Sequence, residues 1–206
     1  VNFMAFLGWH PRGEKEVMTR DELIQEFDLH RVQKAGAVFN EEKLSWLNAQ
    51  HLKYLSDREL TALLLPALAA RGISVDQKKL EHIVRFEKER MKTTHDFFIL
   101  ADFFFVLPEY DAVLLLWKEA TPPVIHENLT VVRAALASYS SESFNAQALE
   151  RVLMPLADER GRGEGLWPLR AALSGKKTSP GPFEIMEVLG KEETLRRVDI
   201  ALQKLL

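Results

Sequence analysis

The chain has 206 residues, 47% of them hydrophobic and 28% charged, enough for one good core or two small ones, and this composition excludes a mainly disordered chain. A net charge of −3 excludes a protein that coats nucleic acid indiscriminately, and the absence of cysteine excludes a disulfide framework, thiolate chemistry and a Cys-ligated zinc site. The longest apolar run, Phe97 to Leu107, contains Asp102 and falls well short of the roughly 20 residues that cross a bilayer, so no membrane partner is expected.

In chain order the signals are helical, and strand alternation is nearly absent. Val1 to Trp9 lacks the charge and the cleavage site of a leader and reads as a helix entered partway. Thr19-Arg20-Asp21-Glu22 and Ser56-Asp57-Arg58-Glu59 both have the form of a capping box, the second followed by Leu60, Leu63, Leu64 and Ala67 at helical spacing. Between them a helical pattern covers about 41–53, preceded by at most a short extended piece at Ala37-Val38-Phe39. Gly72 is expected to stop the Ser56 helix, and Ser74-Val75-Asp76-Gln77 to open the next. Helices are expected over about 95–106 and 109–119, and Thr121-Pro122 starts another that continues through Val131, Val132 and Leu136. Further patterns cover about 145–158, 166–173, 183–189 and 191–205. The segment Arg160-Gly161-Arg162-Gly163-Glu164-Gly165 alternates glycine with charge and is expected to be a mobile connection. The expected fold class is all-α, with a boundary placed near residue 90.

The charge is unevenly distributed. From Arg160 onward nine basic residues face six acidic ones, a net +3 on a chain of net −3. Within that end lies Trp167-Pro168-Leu169-Arg170, followed by Gly175-Lys176-Lys177-Thr178-Ser179-Pro180-Gly181-Pro182-Phe183. Pro180 and Pro182 fix φ and Gly181 permits positive φ, so the turn can hold Ser179 and Phe183 while Arg170, Lys176 and Lys177 supply charge. Unstacked bases want such a surface: a planar face, and donors for their edges. Trp167 offers a base platform by its residue type, and a core position serves it equally well.

Reaction chemistry is not legible. The six histidines never pair at metal spacing, and Gly175-Lys176-Lys177-Thr178 lacks the earlier glycine and the preceding strand of a phosphate-binding loop. The carboxylates scatter without marking a catalytic pair, so no metal and no catalytic residue is expected.

Both ends of the chain resemble glutamyl-tRNA synthetases, class I aminoacyl-tRNA synthetases. The N-terminal words are Asn2-Phe3-Met4-Ala5-Phe6-Leu7-Gly8-Trp9, Phe27-Asp28-Leu29, Lys34-Ala35-Gly36-Ala37-Val38-Phe39 and Glu42-Lys43-Leu44-Ser45-Trp46-Leu47-Asn48, and the C-terminal one runs from Leu166 to Phe183. Both ATP signatures of that family are missing. The resemblance therefore implies a stem-contact region with a first helical anticodon-binding subdomain over 1–90, and a C-terminal helical subdomain over 91–206. It implies tRNA(Glu) as partner, a monomer in the cytoplasm, and no cofactor in this fragment. ATP, Mg2+ and glutamate would enter through the parent enzyme's catalytic domain, and the fragment alone is expected to be inactive.

By the same resemblance, Lys43 and Trp46 match a lysine and a tryptophan that touch tRNA inside the L, although spacing alone makes Trp46 a core residue. Arg90 aligns with an arginine that senses the third anticodon base, where enzymes that also charge tRNA(Gln) carry Gln. Arg170 matches an anticodon-contacting arginine, and Ser179, Pro180 and Phe183 fall on a Thr-Pro-Gly-x-Phe turn. Ser179 replaces the threonine there and Pro182 an aliphatic residue. Two other readings stay open: a non-discriminating enzyme that also charges tRNA(Gln), and a helical protein-interaction module.

Overall fold

The computed structural model describes residues 1–34, 36 and 38–206, and among them every regular element is helical. The expected extended piece falls partly outside the described residues at Ala37, and Val38 and Phe39 are exposed and belong to no regular element. The chain divides into two units, each drawn from two stretches: Val1–Ser74 with Glu87–Phe98, and Val75–Phe86 with Ile99–Leu206. Among the described residues no helix is long and apolar enough to cross a membrane.

The first unit carries α1 (Asn2–Phe6), α2 (Arg20–Glu26), α3 (Glu41–Tyr54) and α4 (Asp57–Ala69). Both expected capping boxes form. Thr19 accepts from the Glu22 N–H while the Glu22 carboxylate accepts from the Thr19 N–H at 2.9 Å, and Ser56 and Glu59 repeat the exchange. Such caps satisfy donors that the first helical turn leaves open and stabilise it by about 0.5–2 kcal/mol. Trp9, Met18 and Leu23 form a small core with Ala5 and Phe6 packed against it, and Asn2 Oδ1 accepts from the Met18 N–H at 2.9 Å beneath it. On α4 the buried stripe is Leu60, Leu64 and Leu68, one residue per turn, whereas Leu63 of the expected set is exposed. Gly72 sits at φ 71° beyond the end of α4, where the Ile73 N–H closes on the Leu68 carbonyl at 3.0 Å.

The next helix, α5 (Gln77–Glu87), is capped by Asp76 and not by the expected Ser74: the Asp76 carboxylate accepts from the N–H groups of Lys78 and Lys79. Two expected helices then shrink. The stretch 95–106 yields α6 (Phe97–Leu100) and a 3-10 turn Asp102–Phe104, and 109–119 yields a 3-10 turn Ala112–Leu115. The reason is local competition. Asp102 accepts from the Phe103 N–H at 2.6 Å and Asp111 from the Val113 N–H at 2.8 Å, bonds that favour short turns over helix propagation.

The second unit is dominated by α7 (Pro122–Ser138), α8 (Ala146–Arg160), α9 (Arg162–Ser174) and α10 (Pro182–Lys204). Here α9 packs against α7, α8, α10 and the Ala112–Leu115 turn, burying Leu169, Ala171, Ala172 and Leu173. Pro122 opens α7 behind Thr121 as expected, and the two expected C-terminal helices are α10 interrupted at Gly190, whose φ of 76° breaks the helical path. The expected mobile connection at 160–165 is corrected: it is the end of α8 and the first turn of α9, parted at Gly161. Glycine serves close approach there. A Cβ on Gly165 would stand 3.4 Å from Ala157 of α8, and one on Gly163 would overlap the Trp117 ring at 2.1 Å.

Candidate nucleic-acid interface

In the second unit, α9 brings Trp167 and Arg170 to one face, three residues apart. The Trp167 indole N–H donates to the Leu114 carbonyl at 3.0 Å, which fixes the ring on the Ala112–Leu115 turn. The Arg170 guanidinium carbon lies 4.6 Å from the Trp167 ring centroid. One Arg170 amino group donates to Ser179 Oγ at 2.9 Å and the other to the Lys177 carbonyl at 2.9 Å. Ser179 Oγ in turn donates to the Pro180 carbonyl at 3.1 Å. Expected as a separate source of charge, Arg170 is thus the tie between α9 and the turn.

Gly175 closes α9 in the left-handed region and Pro182 opens α10 behind Gly181, which sits at φ −64° and makes no use of positive φ, so the turn is pinned at both ends by backbone chemistry. Pro180 and Phe183 are half-buried along it, and Lys177 and Thr178 form its exposed tip. Lys176 is drawn inward, ion-paired with Asp102 and donating to the Ile99 carbonyl, with its ammonium 5.8 Å from the Phe103 ring.

The basic surplus of this end is largely spent on internal partners. Arg160 pairs with Glu127, Arg162 with Asp158, Lys204 with Glu109, and Lys191 donates to the carbonyls of Ala137 and Tyr139. Arg196 and Arg197 share Glu193, whose carboxyl is pulled down to about 2 by hydrogen bonds from Arg196 and then Arg197. Arg197 itself is buried and donates to the Phe103 and Leu173 carbonyls, and that burial lowers its pKa. Among the described residues, Lys177 is the member of the nine whose side chain has no partner.

In the first unit, Lys43 and Trp46 lie on α3, the Lys43 ammonium paired with Glu16 and 5.7 Å from the Trp46 ring. Trp46 is 42% exposed, which corrects its reading as a core residue from spacing. Arg90 ends a 3-10 turn, Lys88–Arg90, and donates to the buried Glu87 carboxylate at 2.6 Å. The unit also carries an open apolar groove lined by Met4, Trp9, Ile24, Phe27 and Val32, a feature no local signal announced.

Two residues that sequence reasoning did not single out complete the second cluster. Asp102 holds Lys176, and Trp117 lies 5.3 Å from the Trp167 ring, centroid to centroid. Trp117 precedes Lys118, a non-glycine residue at positive φ, 49°, and the Lys118 ammonium lies 5.4 Å from the Trp117 ring. A fixed guanidinium backed by indole, beside a proline-bounded turn with a cationic tip, defines an all-α recognition module that suits planar, anionic ligands.

Comparison with known proteins carries this further. Residues 59–202 match the family model described as "Anticodon binding domain", and residues 1–46 match the one described as "tRNA synthetases class I (E and Q), catalytic domain". A glutamate–tRNA ligase from Flavobacterium psychrophilum is 35% identical over the whole chain, and one from Phocaeicola vulgatus 37% identical. Among solved structures, a glutamate tRNA ligase from Elizabethkingia meningosepticum superposes with a TM-score of 0.87 at 33% identity, covering 100% of this chain and 40% of that one. The synthetase from Elizabethkingia anophelis gives 0.83 at 34% identity, over 98% of this chain and 39% of that one. The chain belongs to the anticodon-binding-domain family, in the form carried by glutamate–tRNA ligases. It spans about 40% of the length of the curated relatives it matches, and its first 46 residues are a small piece of their catalytic domain.

Proposed function

We propose that this chain is the tRNA-recognition part of a glutamate–tRNA ligase and binds the inner corner and anticodon of tRNA(Glu). The observation that carries the reading is the Arg170 guanidinium, backed by Trp167 and tied to Ser179 and the Lys177 carbonyl. A guanidinium held in one orientation can meet a splayed base edge without losing further rotamer freedom, and a fitted edge contact discriminates by roughly 1–3 kcal/mol, on the scale of bidentate readout in DNA. Lys177 places an unpaired positive charge beside it, Lys176 lies next to it held by Asp102, and Pro180 and Phe183 supply apolar surface for a base. In the first unit, Lys43 and Trp46 form a cation–aromatic pair suited to the tRNA backbone, and Arg90 offers a second anticodon contact.

In this reading residues 1–90 serve the stem contact and the first anticodon-binding subdomain, and 91–206 the C-terminal subdomain. The parent enzyme activates glutamate with ATP and Mg2+ through its catalytic domain, works in the cytoplasm and acts as a monomer. Family membership over 59–202 weighs against a helical protein-interaction module. Arg90 favours a discriminating parent over one that also charges tRNA(Gln).

Fluorescence anisotropy of the chain with tRNA(Glu) and tRNA(Gln) across a salt series tests this, with Arg170→Ala and Arg90→Gln alongside. The expected result is a preference for tRNA(Glu) that Arg170→Ala weakens and Arg90→Gln relaxes. Equal affinity for both tRNAs points to a non-discriminating parent, and no affinity at low salt, restored in no longer form of the protein, rejects the RNA reading.

A further inference from the structure

The tryptophan pair behind Arg170 has a construction that the anticodon reading alone does not require. Trp117 and Trp167 are 50 positions apart in the chain and come from different elements, a loop after the Ala112–Leu115 turn and the middle of α9. Their rings meet at 5.3 Å with planes tilted by 44°, near enough for each to restrict the other. The edge of Trp117 is received by α9 at Gly163, where any side chain would collide: a Cβ would stand 2.1 Å from Trp117 Nε1 and 2.5 Å from its neighbouring ring carbon. Gly163, Trp167 and Arg170 follow one another at i, i+4 and i+7 and so share a face of α9. The loop that delivers Trp117 passes directly into Lys118 at φ 49°, a conformation that costs a non-glycine residue free energy and persists where the surroundings over-determine it.

We propose that Trp117, seated on Gly163, is a positioning residue that sets the orientation of the base-reading guanidinium of Arg170 by acting through Trp167. The inference rests on the anticodon reading above. The Leu114 carbonyl fixes one edge of the Trp167 ring, Trp117 restricts its tilt, and the guanidinium lying 4.6 Å from that ring rests against it, with Ser179 and the Lys177 carbonyl accepting from its two amino groups. Without Trp117 the ring can tilt, and Arg170 presents its donors over a range of directions. Affinity for a matched base then falls, while contacts to phosphate are untouched.

The test uses the whole chain and tRNA(Glu), with a second transcript altered in the anticodon. Wild type, Arg170→Ala, Trp117→Ala, Trp117→Phe, Gly163→Ala and the double Arg170→Ala/Trp117→Ala are compared by anisotropy across a salt series, each after a circular-dichroism melt confirms that it is folded. Trp117→Ala and Gly163→Ala are expected to weaken binding to the matched anticodon about tenfold, to narrow the gap to the altered transcript, and to leave the salt slope unchanged. Trp117→Phe restores part of the loss, and the double variant binds no more weakly than Arg170→Ala alone, since both changes remove one function. Additive losses, or a Trp117→Ala protein that discriminates like wild type, overturn the inference while the anticodon reading stands. Should Trp117→Ala fail to fold, Gly163→Ala and Trp117→Phe carry the same decision. If Arg170→Ala itself leaves binding unchanged, the anticodon reading falls and this inference with it.

Discussion

The guanidinium of Arg170 lies against the indole of Trp167 and is bonded on its other side to Ser179, nine residues further on. A side chain with four rotatable bonds is thereby reduced to a fixed plane. Trp167 and Arg170 come from α9, and the turn that closes the clamp comes from the chain immediately following it, so the clamp itself is local while its support at Leu114 and Trp117 is distant in sequence.

Geometry, and not charge alone, should govern this site. Arg170→Lys keeps the positive charge but cannot donate to Ser179 and the Lys177 carbonyl from one planar group. The variant is expected to bind tRNA(Glu) about tenfold more weakly, comparable with Arg170→Ala, as measured by anisotropy at constant salt. Recovery of wild-type affinity by lysine would make the site a simple charge.

Lys177 should behave in the opposite way. Its ammonium is exposed at the tip of the turn and has no partner within the protein among the described residues, so it is free to meet phosphate. Lys177→Ala is expected to weaken binding uniformly across anticodon variants and to reduce the slope of log affinity against log salt by about 1. A change in anticodon preference without a change in slope would contradict this assignment.

The buried arginine of the second unit holds the platform from beneath. Arg197 joins the Leu173 carbonyl near the end of α9 to the Phe103 carbonyl and to Glu193 on α10. Arg197→Leu leaves those carbonyls and the carboxylate without their donor and is expected to cost about 3–5 kcal/mol, read from thermal or urea unfolding at neutral pH. Glu193 adds a pH signature. Its folded-state pKa is depressed to about 2, so its stabilising contribution is complete above the ordinary carboxylate range and is lost as pH falls towards 2. The melting temperatures of wild type and Glu193→Gln should therefore differ at neutral pH and converge in acid.

Tyr110 titrates at the other extreme. Burial pushes its phenol up to about 12, with the Arg197 charge opposing the shift, and the Lys204 ammonium lies 5.0 Å from its ring. The neutral phenol is favoured in the folded state, so the contribution is complete below the ordinary tyrosine range near 10 and is lost as pH rises towards 12. Tyrosinate absorbance should show a late-titrating component that is absent from Tyr110→Phe.

Legibility tracked the range of the interaction. Thr19, Ser56, Thr121-Pro122 and the division between 183–189 and 191–205 are all readable, because a cap, a proline start and a break in periodicity act within a few residues. The helical patterns over 95–106 and 109–119 do not show that Asp102 accepts from the Phe103 N–H and Asp111 from the Val113 N–H, bonds with which each opens only a short 3-10 turn. Arg160 to Gly165 suggests mobility because glycine among charges locally signals freedom, whereas here glycine makes room for Trp117 and Ala157, 46 and 8 positions away.

By itself the sequence determined the all-α class, most helix ends, the proline-bounded turn and the residue types gathered on it, since these follow from propensity, periodicity and capping. Tertiary structure decided which of the cations remain available. Net charge counts Lys176, Arg196, Arg197 and Lys177 alike, but Asp102 pairs with the first, the next two share Glu193, and Lys177 alone of these four is left exposed and unpaired among the described residues. It also decided that Trp117 meets Trp167 on a glycine of α9. Close packing between elements distant in sequence sets such contacts, and no local pattern encodes them.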